Sequence, residues 1–346
     1  EEMPSETASG RVWIKDLQPG TDVHGSFAVR SQEVRQRRGG GPYLALTLGD
    51  RTGDVAALVW ENVDELGKVC QPGGVVRVRG QVQRYNQRLQ VVVRGAERIG
   101  QDEVDMSLFV RSSEIDPDVL WHQLEELIEE VGDRHLKQLL FRVFSDPDVA
   151  ARFRVAPAAR GMHHAFRSGL LEHTVSVTRA AKAMARHYRL HVDLVVAGAL
   201  LHDLGKIWEL EIASSISYTD EGRLLGHLAQ EVLFVERTMM ELPAFPGETR
   251  RHLLHILLSH HGEYAFGSPR RPKTPEALLV HMVDNLDSKM AGMLEAMGSA
   301  DASEDAWSDF SRILERYVYR RRPPTENSGE QNLSLIHISE PTRPSP

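Results

Sequence analysis

Between residues 11 and 99 the chain alternates short apolar and polar runs. These are rich in Val, Leu and Trp and are cut by Pro-Gly, Gly-Asp and Gly-Gly pairs about every ten residues. The pattern predicts strands over 24–30, 43–49, 55–60, 75–85 and 89–94. Five short strands in so few residues suit a small closed barrel better than a sandwich. In "YLALTLGDRTGDVAALVW" a polar turn, Asp50-Arg51-Thr52-Gly53, joins two apolar runs, and "GGVVRVRGQVQRYNQRLQVVV" repeats the hairpin across Asn86-Gln87. From Asp116 the period lengthens. "DPDVLWHQLEELIEEV" opens with an Asp cap and a first-turn Pro, and sets Val119, Leu120, Leu124, Leu127, Ile128 and Val131 on one helical face. Further helices are predicted near 133–144, 168–189, 193–204, 223–240, 247–261, 275–298 and 303–320.

The expected organisation is therefore a multi-domain chain. It has an unpatterned, disordered start (1–9), an all-β barrel (10–101), a connector (102–118), an all-α domain (119–322) and a tail (323–346). The tail, "PPTENSGEQNLSLIHISEPTRPSP", is Pro/Ser-rich and has no periodic apolar face, so disorder is expected there. Its "SLIHISEPTR" resembles a translated sequencing-adapter read-through and carries no functional weight. The start at Glu1 rather than Met reads as a fragment or a trimmed chain.

Composition narrows the class. A chain of 346 residues, 41% hydrophobic and 26% charged, reads as a soluble globular protein. No apolar run reaches the roughly 18–20 residues of a membrane span, and no signal segment opens the chain. One cysteine, Cys70, excludes an internal disulfide framework and a Cys-built zinc site, and suits a reducing cytoplasm. The formal net charge of −8 hides an asymmetry, because residues 10–100 hold 14 Lys+Arg against 9 Asp+Glu, a balance of +5. Twelve of the 16 histidines fall between His163 and His281.

The segments "GLLEHTVSV", "GALLHDLGK", "LLGHLAQE", "LLSHHGEY" and "HMVDNLDSK" carry the candidate chemistry. On the helix near 168–189 the inward stripe is Leu170, His173/Thr174, Val177, Ala180/Ala181, Met184. Val195/Val196 and Ala199 lead at helical spacing to His202 and Asp203. His227 shares a face with Leu224, Leu228 and Val235. His260 and His261 extend a stripe from Leu257 to a helix end stopped by Gly262, and Asp284 follows Val280 and His281. Separate helices thus aim imidazoles and carboxylates inward, where an unpaired polar group costs several kcal/mol. A divalent ion removes that cost. Ligation by N and O without thiolate suits Mn²⁺, Fe²⁺, Co²⁺ or Zn²⁺ far better than Mg²⁺.

The set resembles the HD-domain metal-dependent phosphohydrolases, whose signature is a His, a distant His-Asp pair and a later Asp. His173, His202, Asp203 and Asp284 match it in order and by that resemblance bind one ion. His227, His260 and His261 match the added histidines of binuclear members, although a His pair at a helix end can instead contact phosphate. Ions bridged by Asp203 lower the pKa of bound water to give hydroxide near neutral pH. Lys206 either meets the substrate phosphate or serves as a helix-end lysine. Glu172 either orients a ligand or faces solvent, and Asp287 and His281 read as partners of the ligands.

The first domain resembles the OB-fold of nucleic-acid-binding proteins, on "LTLGDRTGDVAALVW" and the hairpin after it. An OB-like barrel of positive charge offers a groove for a single strand. Arg35, Arg37 and Arg38 lie on the loop "RQRRGGG", and Tyr43, Trp60, Tyr85 and Phe27 are candidate base platforms that serve equally as core. Arg270, Arg271 and Lys273 form a basic turn before Asp284.

The pairing of barrel and HD-like helices, with "SYTDEGRLLGH" and "LLSHHGEYAFGSPRRPKTPEALLVHMVDNLDSKM", resembles the YhaM family of 3′→5′ exoribonucleases over roughly nine-tenths of the chain. That resemblance implies hydrolysis of single-stranded RNA, and in some members DNA, to nucleoside monophosphates in the cytoplasm. It implies one or two divalent ions, Mn²⁺ foremost. No membrane partner is expected, and self-association stays open. Two other classes also stay open here. One is an HD hydrolase of dNTPs or cyclic dinucleotides; the other is a nucleic-acid-binding adaptor with an inactive metal site.

Overall fold

The alternation of the first hundred residues becomes five strands in the computed structural model, which describes residues 11–37, 39–85, 88–100, 103–159, 165–212, 216–298, 306–308, 310–311 and 314–321. The predicted disordered ends fall outside these residues. By its contacts the chain divides into two units, Glu1–Gly292 and Met293–Pro346.

In the first unit, β1 (Asp22–Gln36), β2 (Pro42–Asp50), β3 (Gly53–Val59), β4 (Val75–Tyr85) and β5 (Arg88–Ile99) close a barrel in the order β1-β2-β3-β5-β4. The first half of β1 pairs antiparallel with β4 and its second half with β2. A register shift between Val29 and Ser31 lets one long strand serve both neighbours. β3 and β5 run parallel, and the other pairs are antiparallel. Phe27, Leu44, Leu48, Val78, Val82 and Val91 fill the interior, which removes Phe27 from the candidate platforms. The short helix α1 (Val63–Val69), not expected from the pattern, adds Leu66 and then Cys70 to this core.

The connector is docked at both ends. Phe109 is wholly buried against Ala28, Val75 and Ile99 of the barrel, and its carbonyl accepts from the Arg30 guanidinium. Beyond it, Arg167 N–H donates to Arg111 O at 2.7 Å and Ser113 N–H to Arg167 O at 3.0 Å. The Ser113 hydroxyl donates to Glu172 at 2.5 Å, which ties the connector to the helix bearing Glu172 and takes that residue out of open solvent.

The helical part comprises α2 (Pro117–Glu129), α3 (Arg134–Phe144), α4 (Pro147–Phe153), α5 (Gly169–Tyr188), α6 (Val192–Leu201), α7 (Lys206–Glu209), α8 (Asp220–Glu241), α9 (Gly247–Ser259) and α10 (Pro275–Met297). Asp116, Asp133 and Asp146 cap the first three through their carboxylates. A common core joins Leu124, Leu140, Leu171, Val195, Leu200, Ile256 and Val280. No helix among the described residues is long and apolar enough to cross a membrane.

Several expectations need correction. The helical domain also carries a small hairpin that was not expected, β6 (Leu210–Ile212) and β7 (Ile216–Tyr218), between α7 and α8. Helices α4 and α7 were not anticipated; each is too short to show periodicity. No helix occupies the described residues within 303–320. There, in the second unit, Trp307 pairs with Tyr319 and Ser311 with Arg316 as isolated bridges. Val119, Ala180 and Met184 are exposed, and Trp121, Thr178 and Ala185 are buried in the stripes they were expected to complete.

Candidate metal centre

Five histidines and two aspartates from five stretches of the chain converge inside the helical part. His173 comes from the second turn of α5, and His202 and Asp203 from the end of α6. His227 lies in α8, His260 and His261 just past α9, and Asp284 in the third turn of α10. His202 and His260 are fully buried, and His173 and Asp203 nearly so.

Asp203 stands between two groups. Its Oδ2 lies 3.4 Å from His202 Nε2 and 3.6 Å from His173 Nε2, while Oδ1 lies 3.7 Å from both His227 Nε2 and His260 Nε2. Two ligand clusters result: His173, His202 and Asp203; and Asp203, His227, His260 and His261. Asp284 closes the first, with Oδ1 3.2 Å from His173 Nε2 and 3.8 Å from His202 Nε2.

Four of the five imidazoles have a hydrogen-bond partner on the other nitrogen, and the fifth, His227, has a carboxylate close to it. His202 Nδ1 meets Ala199 O at 2.8 Å, His260 Nδ1 meets Leu257 O at 2.8 Å, and His261 Nδ1 meets Phe266 O at 3.0 Å. His173 Nδ1 meets Asp287 at 2.8 Å, and His227 Nδ1 lies 3.0 Å from Glu209. Carbonyls and carboxylates only accept, so they place the proton on Nδ1 and turn the Nε2 lone pair inward. The inward lone pairs then face one another, at 3.3 Å for His173/His202 and 3.2 Å for His227/His261. Lone pairs crowded against two carboxylates need cations between them, so the donor set fits divalent ions with N/O preference.

Without an ion, protons and Lys206 carry the compensating charge. Burial pushes His173 down, but hydrogen bonds to Asp284 and Asp287 outweigh it and raise it to about 10. Burial would raise Asp203, yet Lys206 and His202 hold it well below the usual carboxylate range. His173 and His202 do the same for Asp284. His261, in the second cluster, is driven down to about 3 by burial and by His260 and His227. Lys206 Nζ donates to Asp203 Oδ2 at 2.6 Å. Lys206 and Asp284, each with 17% of the side chain exposed, mark the open side.

Two glycines set the backbone geometry. A Cβ on Gly205 would fall 2.1 Å from His227 O, so the Asp203–Lys206 turn can lie against α8 only with glycine there. Gly226, at φ 72° and ψ 158°, breaks α8 one residue before His227. The break also explains why Leu224 is 84% exposed, off the face it was expected to share with His227.

Sequence reasoning missed two residues. Glu209 Oε1 accepts the main-chain N–H of His227 at 3.1 Å, besides its approach to the ring. Glu231, fully buried 3.8 Å from His260 Nδ1, is raised well above the usual range, first by burial and then by Asp203. Its position four residues past His227 on α8 was the available signal. His281 is a strut: its Nδ1 meets His260 O at 2.7 Å, and its ring fills the space a Gly262 side chain would take.

On the barrel, Arg35 lies within β1 rather than on the loop expected for it, because β1 runs on to Gln36 in register with β2; it faces Tyr43 across that ladder and pairs with Glu33 at 2.7 Å. Trp60 is covered on two sides. Tyr43 lies 4.9 Å from it, and the Arg37 guanidinium sits 4.6 Å over its ring. Tyr85, at the end of β4, is 65% exposed. Arg38 lies outside the described residues. In the turn before α10, Arg271 pairs with Glu263 at 2.7 Å, and Arg270 and Lys273 are exposed.

A family profile described as HD domain matches residues 170–289, and one described as OB-fold nucleic acid binding domain matches residues 28–99. The chain is 35% identical over 290 residues to the 3′-5′ exoribonuclease YhaM of Halalkalibacterium halodurans, a match covering 83% of this chain and 89% of that protein. It is 32% identical over 315 residues to the protein of the same name from Shouchella clausii, covering 90% and 98%. With that from Bacillus velezensis the identity is 36% over 282 residues, covering 80% and 88%.

Proposed function

Because this chain belongs to the YhaM family of 3′-5′ exoribonucleases, we propose that its histidine–aspartate cluster is the hydrolytic centre and holds two divalent ions, Mn²⁺ foremost. The chain is a metal-dependent 3′-5′ exoribonuclease, a hydrolase of phosphodiester bonds, with a barrel of the nucleic-acid-binding OB class. Its substrate is a single strand with a free 3′ end, RNA before DNA, released as nucleoside monophosphates. It works in the cytoplasm, to which a single buried cysteine is suited.

The observation that carries the reading is the inward turn of the Nε2 lone pairs, fixed by hydrogen-bond partners on Nδ1 of His173, His202, His260 and His261. His173, His202, Asp203 and Asp284 would hold one ion, and Asp203, His227, His260 and His261 the other. The ions supply Lewis acidity toward the phosphate and a nucleophile drawn from water at neutral pH.

The chain's own groups do the rest. Asp203 directs one oxygen to each cluster and so fixes their separation. Asp287 and Glu209 keep their imidazoles from rotating. Lys206, on the open side, presents a point charge to a non-bridging phosphate oxygen. Upstream, Arg35, Arg37 and Arg38 neutralise backbone phosphates while Tyr85 and the Tyr43/Trp60 pair offer ring faces.

A 5′-labelled single-stranded RNA incubated in EDTA, Mg²⁺ or Mn²⁺ tests this directly. The expected result is a ladder shortening from the 3′ end in Mn²⁺, and none in EDTA or with Asp203→Ala. Near-wild-type shortening by Asp203→Ala would remove the cluster from the mechanism. An oligomer left intact in every metal would overturn the exonuclease reading.

A further inference from the structure

The segment after His261 is a closed turn that turns its aromatic rings outward. Main-chain bonds run from Glu263 N–H to His261 O (3.0 Å), Phe266 N–H to Glu263 O (3.0 Å), Gly267 N–H to Tyr264 O (3.1 Å) and Ser268 N–H to Glu263 O (3.3 Å). Ser268 is buried, and its hydroxyl is anchored on Leu258 O at 3.2 Å and Arg270 O at 2.6 Å. On the backbone so held, Tyr264 and Phe266 stand 60% and 65% exposed. Two large rings in water on a rigid turn forgo the stabilisation that burial gives, which marks a contact surface.

The position of the turn says what it contacts. Phe266 O accepts from Nδ1 of His261, whose Nε2 faces the second ligand cluster. The main chain of Phe266 is therefore one hydrogen bond and one imidazole width from the centre. The Arg271 guanidinium lies 5.2 Å over the Tyr264 ring, and Arg270 and Lys273 are exposed beside it. Aromatic faces edged with cations are the surface that holds a single strand irrespective of its sequence, since every base has a π-face.

We propose that the turn Tyr264–Phe266 is a base-stacking subsite for the 3′-terminal nucleotide, with Phe266 as the platform and Arg271 on Tyr264 as its cationic edge. The proposal rests on the exonuclease reading. Cleavage next to the terminal phosphate needs the last nucleotide held still, and a stacked base does so without selecting sequence.

The test compares two single-stranded RNA oligomers, identical except that one ends in a 3′-terminal abasic nucleotide. Removal of the terminal nucleotide is timed for wild type, Phe266→Ala and Phe266→Trp in Mn²⁺. Wild type is expected to favour the intact end about tenfold in kcat/KM, the order of one base–aromatic stack. Phe266→Ala should bring that ratio near one, and Phe266→Trp should keep it. A purely structural loss would slow both oligomers and leave the ratio unmoved. An undiminished ratio in Phe266→Ala, or hydrolysis by wild type with no preference for the intact end, overturns the subsite and leaves the exonuclease standing. Absence of hydrolysis of either oligomer by wild type overturns the exonuclease reading, and the subsite with it.

Discussion

Glu209 meets His227 twice: Oε1 accepts the main-chain N–H at 3.1 Å, and Oε2 lies 3.0 Å from Nδ1 of the ring. One carboxylate thus fixes the backbone where α8 restarts after Gly226 and also the tautomer of the imidazole there. Hydrogen bonding to His227 lowers the Glu209 pKa against the opposing effect of burial.

Glu209→Gln keeps shape and packing but replaces one acceptor with an amide donor. That amide then faces an N–H, or draws the ring proton away from Nδ1 and onto the inward nitrogen. Affinity for an ion in the His227/His260/His261 cluster should fall roughly 10–100-fold, while the His173/His202 cluster keeps its ion. Mn²⁺ titration by calorimetry reads both steps. Two unchanged steps would reduce Glu209 to a packing residue.

Metal removal should be visible without substrate. Chelation leaves inward lone pairs and carboxylates uncompensated in a buried site, whereas an ion at a thousand times its Kd adds about 4 kcal/mol to the folded state. The melting temperature in Mn²⁺ should exceed that in EDTA by on the order of ten degrees. Asp203→Ala, which removes a ligand from both clusters, should lose most of that difference. Equal melting in Mn²⁺ and EDTA would argue against resident ions.

Much of this arrangement could be read from the chain, for a definite reason. His173, His202, His260 and Asp284 each fall on an apolar helical stripe, so an inward polar residue stands out. The barrel was legible because one face of each strand is buried, which leaves a period of two. Glu209 was not legible, since its role exists only through a contact across the break in α8, and glutamates are usually solvated. The same break misled the reading of Leu224. Helix α7 and the hairpin β6–β7 contain too few residues per element to show a period.

Cys70 predicts a pH dependence unrelated to the site. Burial raises its thiol from an ordinary 9.0 to about 11. Between those values the unfolded chain ionises and the folded one does not, so the associated stability is intact below pH 9 and lost as pH rises through 11. The loss is on the order of 2–3 kcal/mol. Cys70→Ala is less stable at neutral pH through the cavity it leaves, and its stability should fall less steeply from pH 9 to 11. Urea unfolding across that range reads the difference in slope. Parallel curves would mean that the thiol ionises freely in the fold.

The arginines at and beyond the end of β1 predict a salt dependence whose size can be argued beforehand. Each phosphate neutralised on a single strand contributes about 0.7 to the slope of log affinity against log salt. Arg35 is engaged with Glu33 at 2.7 Å and Arg37 with Trp60. The ion pair is exposed and screened by solvent, so a phosphate can displace Glu33. Arg37 has more to lose, since it leaves a ring as well as the Trp60 carbonyl. Its departure, however, frees that indole face for a base. Replacing Arg35, Arg37 and Arg38 together by Ala should therefore weaken strand binding and flatten the slope by about 2, the sum expected for three phosphates. Trp60→Ala should weaken binding with no change in slope, because stacking releases no counterions. Fluorescence anisotropy of a labelled single strand from 50 to 400 mM salt, in EDTA to prevent hydrolysis, separates the two. A slope unchanged in the triple variant would leave these arginines without phosphate contacts and move the barrel's strand site toward Tyr85 and β4.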